Sequence, residues 1–147
     1  MDKVAIIISI VSLIATILIA IWQIITTINI NKINIKSNVC EKIFDDYLIS
    51  KIPSARKFLK FDCKGKLTGW EKLNKTLVDM KLSALYFKYN DKIFYENLDN
   101  KLMDLEDYIT SLIDKKHDST KHADIYIKID EDIKAIYKLI DEKRIKG

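Results

Sequence analysis

Residues 4–28 read VAIIISIVSLIATILIAIWQIITTI, and none of these side chains carries a charge. A helix rises about 1.5 Å per residue, so this segment would reach roughly 37 Å, which is enough to cross a hydrocarbon core of about 30 Å with some tilt. A single segment in lipid has to satisfy its backbone groups internally, and a helix does so. The sequence therefore predicts an N-terminal transmembrane helix over residues 1–28 and a location in the cell membrane.

Two other interpretations of this segment fit less well. A cleaved signal peptide would have an apolar region of about 7–15 residues that ends in small residues, whereas this one continues through Trp22 to Ile28 with no Ala-x-Ala site. A buried core helix would need a large domain around it, and the remaining chain is short for that purpose. We therefore favour a membrane anchor.

The flanking charges indicate the orientation. Lys32 and Lys36 follow the apolar segment before the first acid, Glu41, whereas the N-terminal side carries the amino group, Asp2 and Lys3. The positive-inside rule favours, by a narrow margin, a C-terminal domain in the cytoplasm. Two cysteines are too few for a secreted disulfide framework, which agrees with a reducing compartment, although a single disulfide in an exported domain is also compatible.

The rest of the chain predicts helices. No Gly or Pro precedes Pro53, so we expect the membrane helix to continue as a juxtamembrane stalk over residues 29–51. A cytosolic helical domain then covers residues 52–147. Pro53 suits the first turn of a new helix, which the sequence SARKFLKF would continue to Phe61. Thr68 and Glu71 have the spacing of a capping box that starts the next helix.

Apolar residues recur at spacings of three and four along three successive segments, separated by the polar connections Asn90–Asp91 and Asp118–Thr120. Asn90–Asp91 can cap the second of these segments as a helix. The three stripes are Trp70, Leu73, Leu77, Met80, Ala84 and Phe87; Phe94, Leu98, Leu102, Leu105, Ile109 and Leu112; and His122, Tyr126, Ile129, Ile133, Ile136 and Ile140. Such stripes with short connections predict an all-α fold, a small antiparallel helical bundle. The alternation within residues 125–129 also fits a strand.

The small and polar residues of the membrane segment lie on one face. They are Ala5, Ser9, Ser12, Thr16, Ala20, Gln23 and Thr27. At about 100° per residue they fall within an arc of roughly 80°. Small residues let helices approach each other closely in lipid, and hydroxyl or amide groups can bond across the contact. This face, which we call the polar stripe, predicts a homo-oligomer. Two alternatives are a passive anchor whose hydroxyls bond their own backbone, and a pore that opens when the domains cluster.

A cluster of basic residues follows Pro53, with a single acid, Asp62, among them. The cluster consists of Arg56, Lys57, Lys60, Lys64 and Lys66. A basic amphipathic helix beside a membrane can bind anionic lipid headgroups, and the same charges would suit an acidic partner protein. The alternative is a core helix whose lysines are merely solvated. Nucleic acid is not expected as a partner, because acids alternate closely with the other lysines and no recognition motif is present.

Other candidate sites are weaker. His117 and His122 are the only histidines, and a surface loop accounts for them better than zinc does. The carboxylates are interspersed with lysines on expected surfaces, and three glycines cannot build a phosphate-binding or dinucleotide loop. We therefore expect no enzymatic activity, no metal and no cofactor.

The N-terminal span, the stalk and the motif Ser54-Ala-Arg-Lys57 followed by Phe58-Leu-Lys60 resemble a family of small uncharacterised bacterial and prophage membrane proteins. Members have a single span and a cytosolic helical domain with an Ala-Arg-Arg/Lys motif, and Lys57 stands where Arg is common. The resemblance covers residues 1–61 and implies a role in phage defence or superinfection exclusion. It also implies that Arg56 is an ion-pair partner or a ligand contact. We expect a membrane-anchored interaction module with an unknown protein partner; a pore-forming effector is the alternative.

Overall fold

The structure, a computed structural model, describes residues 3–146. These residues are mostly helical, which confirms the predicted all-α class, with one two-stranded hairpin added. The elements are α1 (Lys3–Ile43), a π-helical segment (Phe44–Lys51), α2 (Ile52–Arg56), β1 (Lys60–Phe61), β2 (Leu67–Thr68), α3 (Trp70–Ser83), α4 (Leu85–Asn90), α5 (Lys92–Leu112) and α6 (Ser119–Lys146).

The chain divides into two compact units, residues 1–36 and residues 37–147. In the first unit every described side chain from Ala5 to Ile35 is exposed. In the second unit buried side chains begin at Cys40. The predicted stalk therefore falls in both units, and its residues from 37 onward belong to the packed unit.

The core of the second unit draws on all of its helices. Every residue of the stripe predicted for α5 is buried, which confirms that stripe. Helix α6 buries Ile125, Ile129, Ile133, Ile136 and Ile140. Residues 125–129 are therefore helical, and the strand alternative for them is wrong.

Contacts along the second unit show the chain directions. The Sγ atom of Cys40 lies 3.7 Å from the carbonyl oxygen of Ile140. Arg56, which is sixteen residues after Cys40, pairs with Asp130, which is ten residues before Ile140 on α6. The chain from Cys40 to Arg56 therefore runs opposite to α6.

Helices α5 and α6 also run in opposite directions, joined by residues 113–118. Asp91, at the N-terminus of α5, pairs with Lys143 near the end of α6 at 2.7 Å. The same carboxylate accepts a hydrogen bond from the backbone N–H of Phe94 at 3.2 Å, which confirms the predicted cap. The Asp91 side chain therefore caps α5 and also connects α5 to α6.

Pro53 lies in the first turn of α2, as predicted, but no break precedes it, because the chain is helical without interruption from α1 through α2. The chain widens to a π-helix just before the proline, and the N–H of Ile52 bonds the carbonyl of Tyr47, five residues earlier. In this register the partner of Pro53 would be the carbonyl of Leu48, but proline has no N–H to donate. The hydroxyl of Tyr137 on α6 donates to that carbonyl instead.

The segment after α2 is a hairpin, so the predicted helix through Phe61 is wrong. Helix α2 ends at Arg56, and Lys60 of β1 pairs with Thr68 of β2. The predicted capping box is also wrong, because the Thr68 hydroxyl donates across the hairpin to the Lys60 carbonyl at 2.9 Å. Gly69 occupies the N-cap of α3 with a φ of 75°, a left-handed conformation that suits glycine.

Candidate functional site

The hydroxyls of the polar stripe are satisfied in part by their own helix. Ser9 donates to the carbonyl of Ala5 at 2.9 Å, and Thr16 donates to that of Ser12 at 2.8 Å. These bonds are the ones that a passive anchor would make, and they leave the hydroxyl lone pairs available to a neighbour. Ser9 and Thr16 therefore do not by themselves require a second helix.

Gln23 differs from Ser9 and Thr16. Its amide makes no hydrogen bond among residues 3–146, although it lies within the uncharged segment. It lines a shallow groove on the stripe together with Ala20 and Thr27. An amide has two donors and an acceptor to satisfy, so Gln23 is the strongest polar feature of the stripe.

The stripe extends beyond the predicted residues. Asn31, Asn34 and Asn38 are exposed on α1 and continue the spacing of four, three and four that links Thr16 to Thr27. Spacings of four, three and four repeat every eleven residues, a period that favours a right-handed supercoil between helices. Sequence reasoning limited to the apolar segment missed these three asparagines, although their spacing was visible.

The predicted basic cluster is not one helix face. Only Arg56 lies on a helix, and its guanidinium is already engaged. Its Nε donates to Asp130 at 2.7 Å and its Nη2 donates to the other carboxylate oxygen at 3.2 Å. The guanidinium also lies 4.7 Å from the ring centre of Tyr126. Arg56 therefore connects α2 to α6 as an ion-pair partner and does not belong to a free basic surface.

The four lysines of the cluster lie on the hairpin and its approach. Lys57 follows α2, Lys60 lies on β1, and Lys64 and Lys66 lie in or beside the loop between the strands. Lys66 is half-buried and its Nζ is 3.9 Å from Asp114, whereas the other three side chains are exposed. The structure thus places three of the five predicted residues on one small hairpin and a fourth, Lys57, on the segment that leads into it.

The hairpin loop is ordered by Asp62. Its carboxylate accepts hydrogen bonds from the backbone N–H groups of Lys66 and Lys64, each at 2.8 Å. These backbone bonds lower the pKa of the Asp62 carboxyl, because they stabilise its charged form. The acid in the middle of the lysines therefore has a structural role.

The two histidines hold the hairpin against the loop before α6. The backbone N–H of His117 donates to the Gly65 carbonyl at 2.9 Å, and the ring of His122 stacks on Phe61 with centroids 3.7 Å apart. The Nε2 atom of His122 is 3.1 Å from the His117 carbonyl, so it donates there. Both histidines are half-buried packing residues and not free loop residues. The described residues contain no group of three metal-ligating side chains.

A pocket in the second unit gathers hydroxyl groups. It is lined by Val39, Lys42, Ile43, Asp46, Tyr47, Ser83 and Tyr86. The Tyr47 hydroxyl lies 2.7 Å from Ser83 Oγ and donates to the carbonyl of Asp79 at 3.0 Å. No imidazole or carboxylate is hydrogen-bonded to either hydroxyl among the described residues, so neither has the base that an activated nucleophile needs.

One described helix, the run that begins at Ala5, is long and apolar enough to cross a membrane, and its apolar window has no buried residue. The polar stripe therefore lies on a helix that is a candidate membrane span. No protein-family model, curated protein or solved structure matches the chain.

Proposed function

We propose that this protein is a single-pass membrane protein whose α1 helix anchors a non-enzymatic, cytoplasmic helical bundle and joins copies of the chain together. The observation that carries the proposal is the complete exposure of the uncharged part of α1, residues 5–28, which also bears one polar stripe. The bundle would act as an interaction module for a partner protein.

The cost of leaving α1 in water supports a membrane anchor. Fifteen large apolar side chains between Ile6 and Ile28 are exposed. Each is worth about 1.5–3 kcal/mol when fully buried, and they are half-exposed, so covering them is worth on the order of 20 kcal/mol. Since whole domains are stable by only about 5–15 kcal/mol, this surface needs lipid or a protein to cover it.

Self-association through the polar stripe would satisfy Gln23. In a parallel oligomer the same residue of each copy lies at the same depth, so two or more Gln23 amides would meet and bond one another. Each such bond in lipid averages only about 0.6 kcal/mol, so close packing at Ala5, Ser9 and Ala20 would have to contribute as well. The eleven-residue period extends this contact to the asparagines beyond the apolar segment.

Lys32 and Lys36 indicate the orientation, because they follow the uncharged segment of α1 on its C-terminal side. Positive residues stay on the cytoplasmic side of a membrane. The second unit would therefore face the cytoplasm, where both free cysteines remain reduced.

Disulfide scanning tests the self-association. Thr16→Cys lies on the stripe, and Leu18→Cys lies at the same depth but about 200° around the helix. Both variants carry Cys63→Ser, because Cys63 is exposed. Under mild oxidation in membranes, we expect the full-length Thr16→Cys variant to form disulfide dimers and the Leu18→Cys variant to remain monomeric. Equal crosslinking of the two variants would contradict a specific contact.

Two further measurements complete the test. Gln23→Leu should weaken the dimer, whereas Ile25→Leu on the opposite face should leave it unchanged. Membrane sedimentation tests the anchor itself. Full-length protein that stays in the supernatant without detergent would refute the anchor and the oligomer together.

A pore-forming effector is the second candidate. The polar stripe runs the length of the apolar segment, so several copies could turn it towards a central lumen. The stripe carries no charge from Ala5 to Thr27, which makes it a poor ion pathway. Induced expression with a membrane-impermeant dye separates the candidates, because an interaction module leaves cells sealed. Phage plating on cells with and without the protein tests the defence role that the family resemblance implies.

A further inference from the structure

The hairpin and the loop before α6 together form one basic surface, which we call the basic end. Its members are Lys57, Lys60, Lys64, Lys66, Lys115, Lys116 and Lys121. Four of them come from the predicted cluster, and three come from a segment about fifty residues later in the chain. No pattern in the local sequence connects the two groups.

Two contacts bring the segments together. The hydrogen bond between His117 and Gly65 places the backbone beside Lys116 against the backbone between Lys64 and Lys66. The packing is close, since a Cβ atom on Gly65 would lie 2.4 Å from the His117 carbonyl oxygen. The hairpin lysines and the loop lysines therefore share one surface.

The second contact lies further along the hairpin. The ring of Phe61, next to Lys60, stacks on His122, next to Lys121. Lys60 and Lys121 are both exposed. Because successive side chains of a strand point to opposite faces, Lys60 lies on the other face of the hairpin from Phe61, and the contact brings Lys121 to the same end of the unit as the hairpin lysines.

Among the described residues, Lys66 is the one lysine of the basic end in an ion pair, with Asp114 at 3.9 Å. Lys64 and Lys121 lie near the carboxylates of Asp62 and Asp118 without pairing with them. Elsewhere in the second unit several cations are engaged in ion pairs, as in Arg56–Asp130, Lys81–Asp99, Lys92–Glu96, Lys128–Asp132 and Lys143–Asp91, and the lysines that the described residues leave unpaired, such as Lys75, Lys88 and Lys134, lie on separate helices. Two nearby carboxylates accept hydrogen bonds from backbone N–H groups instead. Asp62 holds the hairpin loop, and Asp118 accepts a bond from the N–H of Thr120.

An apolar ring accompanies the lysines. Phe58 is exposed beside Lys57, and the ammonium of Lys72 lies 3.8 Å from the centre of its ring. An aromatic ring surrounded by long, flexible cations is typical of segments that rest on a bilayer surface, because the ring enters the interface while the charges meet headgroups.

The basic end lies far from the first residues of its own unit. The chain from Cys40 to Arg56 is helical and spans roughly 20 Å, and the hairpin follows it. The Cys40 end of the unit contacts Ile140, whereas the hairpin contacts the first turn of α6. The lysines therefore project from the end of the second unit that is opposite to its first residues.

We propose that the basic end binds the anionic phospholipid headgroups of a bilayer surface. Lysine suits this role as a point charge on a flexible stem, and lysine is depleted in protein–protein interfaces. A nucleic acid would be expected to follow a basic groove or stripe, whereas these lysines surround a projecting hairpin. The proposal deepens the proposed function, since it gives the anchored unit a second lipid contact.

The test uses the full-length chain, held in nanodiscs of phosphatidylcholine and mixed with separate vesicles. We expect the discs to float with vesicles rich in phosphatidylglycerol and not with vesicles of phosphatidylcholine alone. Changing Lys64, Lys115 and Lys116 to Glu should lower this binding roughly tenfold or more, since each basic residue adds to the attraction. High salt should lower it as well.

A matched control reverses three lysines outside the basic end. Lys75, Lys88 and Lys134 are exposed and make no ion pair among the described residues, so the Glu variant at these positions has the same net charge. It should bind like the wild type. Equal losses in both variants would show a net-charge effect and overturn the proposal.

Two other results would contradict the proposals. Binding of an oligonucleotide or of polyglutamate, with anionic vesicles ignored, would assign the basic end to another partner and overturn the proposal. Failure of the chain to enter nanodiscs would instead contradict the proposed anchor, so the two failures are distinguishable. Circular dichroism of each variant confirms that the helices remain.

Discussion

Replacing Tyr137 with Phe removes a single hydroxyl that completes the hydrogen bonding of the π-helical segment. That hydroxyl donates to the carbonyl of Leu48, a fully buried residue. The helix itself cannot supply the donor, because the position five residues later is Pro53. Without the hydroxyl, the carbonyl would be buried with no partner.

The expected loss follows from the cost of an unsatisfied buried polar group. A net hydrogen bond is worth about 0.5–1.5 kcal/mol, but an orphaned buried acceptor costs about 1–3 kcal/mol. The Tyr137 ring is retained in the variant, so no cavity term adds to this. We expect Tyr137→Phe to lower the free energy of unfolding by about 1–3 kcal/mol.

A second substitution makes the prediction specific. Pro53→Ala supplies an N–H that can reach the Leu48 carbonyl in the π-helical register. In this background Tyr137→Phe should cost about 1 kcal/mol less than in the wild type, because the acceptor has an alternative donor. The two positions should therefore show a positive coupling in a double-mutant cycle.

The assay is urea unfolding of the full-length protein in a non-ionic detergent, followed by circular dichroism. Tyr126→Phe, on the same helix, is the control, since its hydroxyl makes no hydrogen bond among the described residues. It should change stability by less than about 0.5 kcal/mol. A Tyr137 variant that matches this control, or a cycle with no coupling, would refute our account of the π-helical segment.

Three further predictions concern the hairpin and the thiols. Gly65→Ala should destabilise the protein by about 2 kcal/mol in the same assay, because its φ of 74° strains alanine and the new Cβ meets the His117 carbonyl. Asp62 stabilises the hairpin only while its carboxylate is ionised, and its pKa in the folded protein lies below the ordinary 3.8. This stability should therefore be lost as the pH falls through the folded pKa, which amide exchange in the loop would show as faster exchange. Asp62→Asn should remove this acid dependence of the exchange. Iodoacetamide near neutral pH should modify Cys63 but not Cys40 until the protein is denatured, because burial shields the Cys40 thiol and raises its pKa; equal labelling of the two in the folded protein would contradict the packing.

Local pattern was sufficient to predict the long helices. The stripe from Phe94 to Leu112 places one side chain towards the core at every turn, and all six are buried. Asp91 was recognisable as a cap because its carboxylate bonds a backbone group only three residues away. Both features depend on short-range geometry, which a sequence records directly.

The hairpin was not predictable in the same way. The segment after Arg56 has good helix formers and a helical spacing of lysines, yet it forms two short strands. What selects the strands is the contact of Gly65 with His117 and of Phe61 with His122, which are distant in the chain. The capping box predicted at Thr68 was wrong for the same reason, because the Thr68 hydroxyl bonds across the hairpin and does not cap α3.

The two proposed surfaces work in different solvents, and this makes them experimentally separable. The polar stripe is uncharged and would act in lipid, where ionic strength has little influence on packing and amide bonds. The basic end is charged and acts in water, where a Debye length of about 8 Å at physiological salt screens its attraction to headgroups. Raising the salt concentration should therefore release the basic end from anionic vesicles while crosslinking through Thr16→Cys persists. If both contacts weaken in parallel, the membrane contact and the oligomer are coupled, and the stripe is not an independent interface.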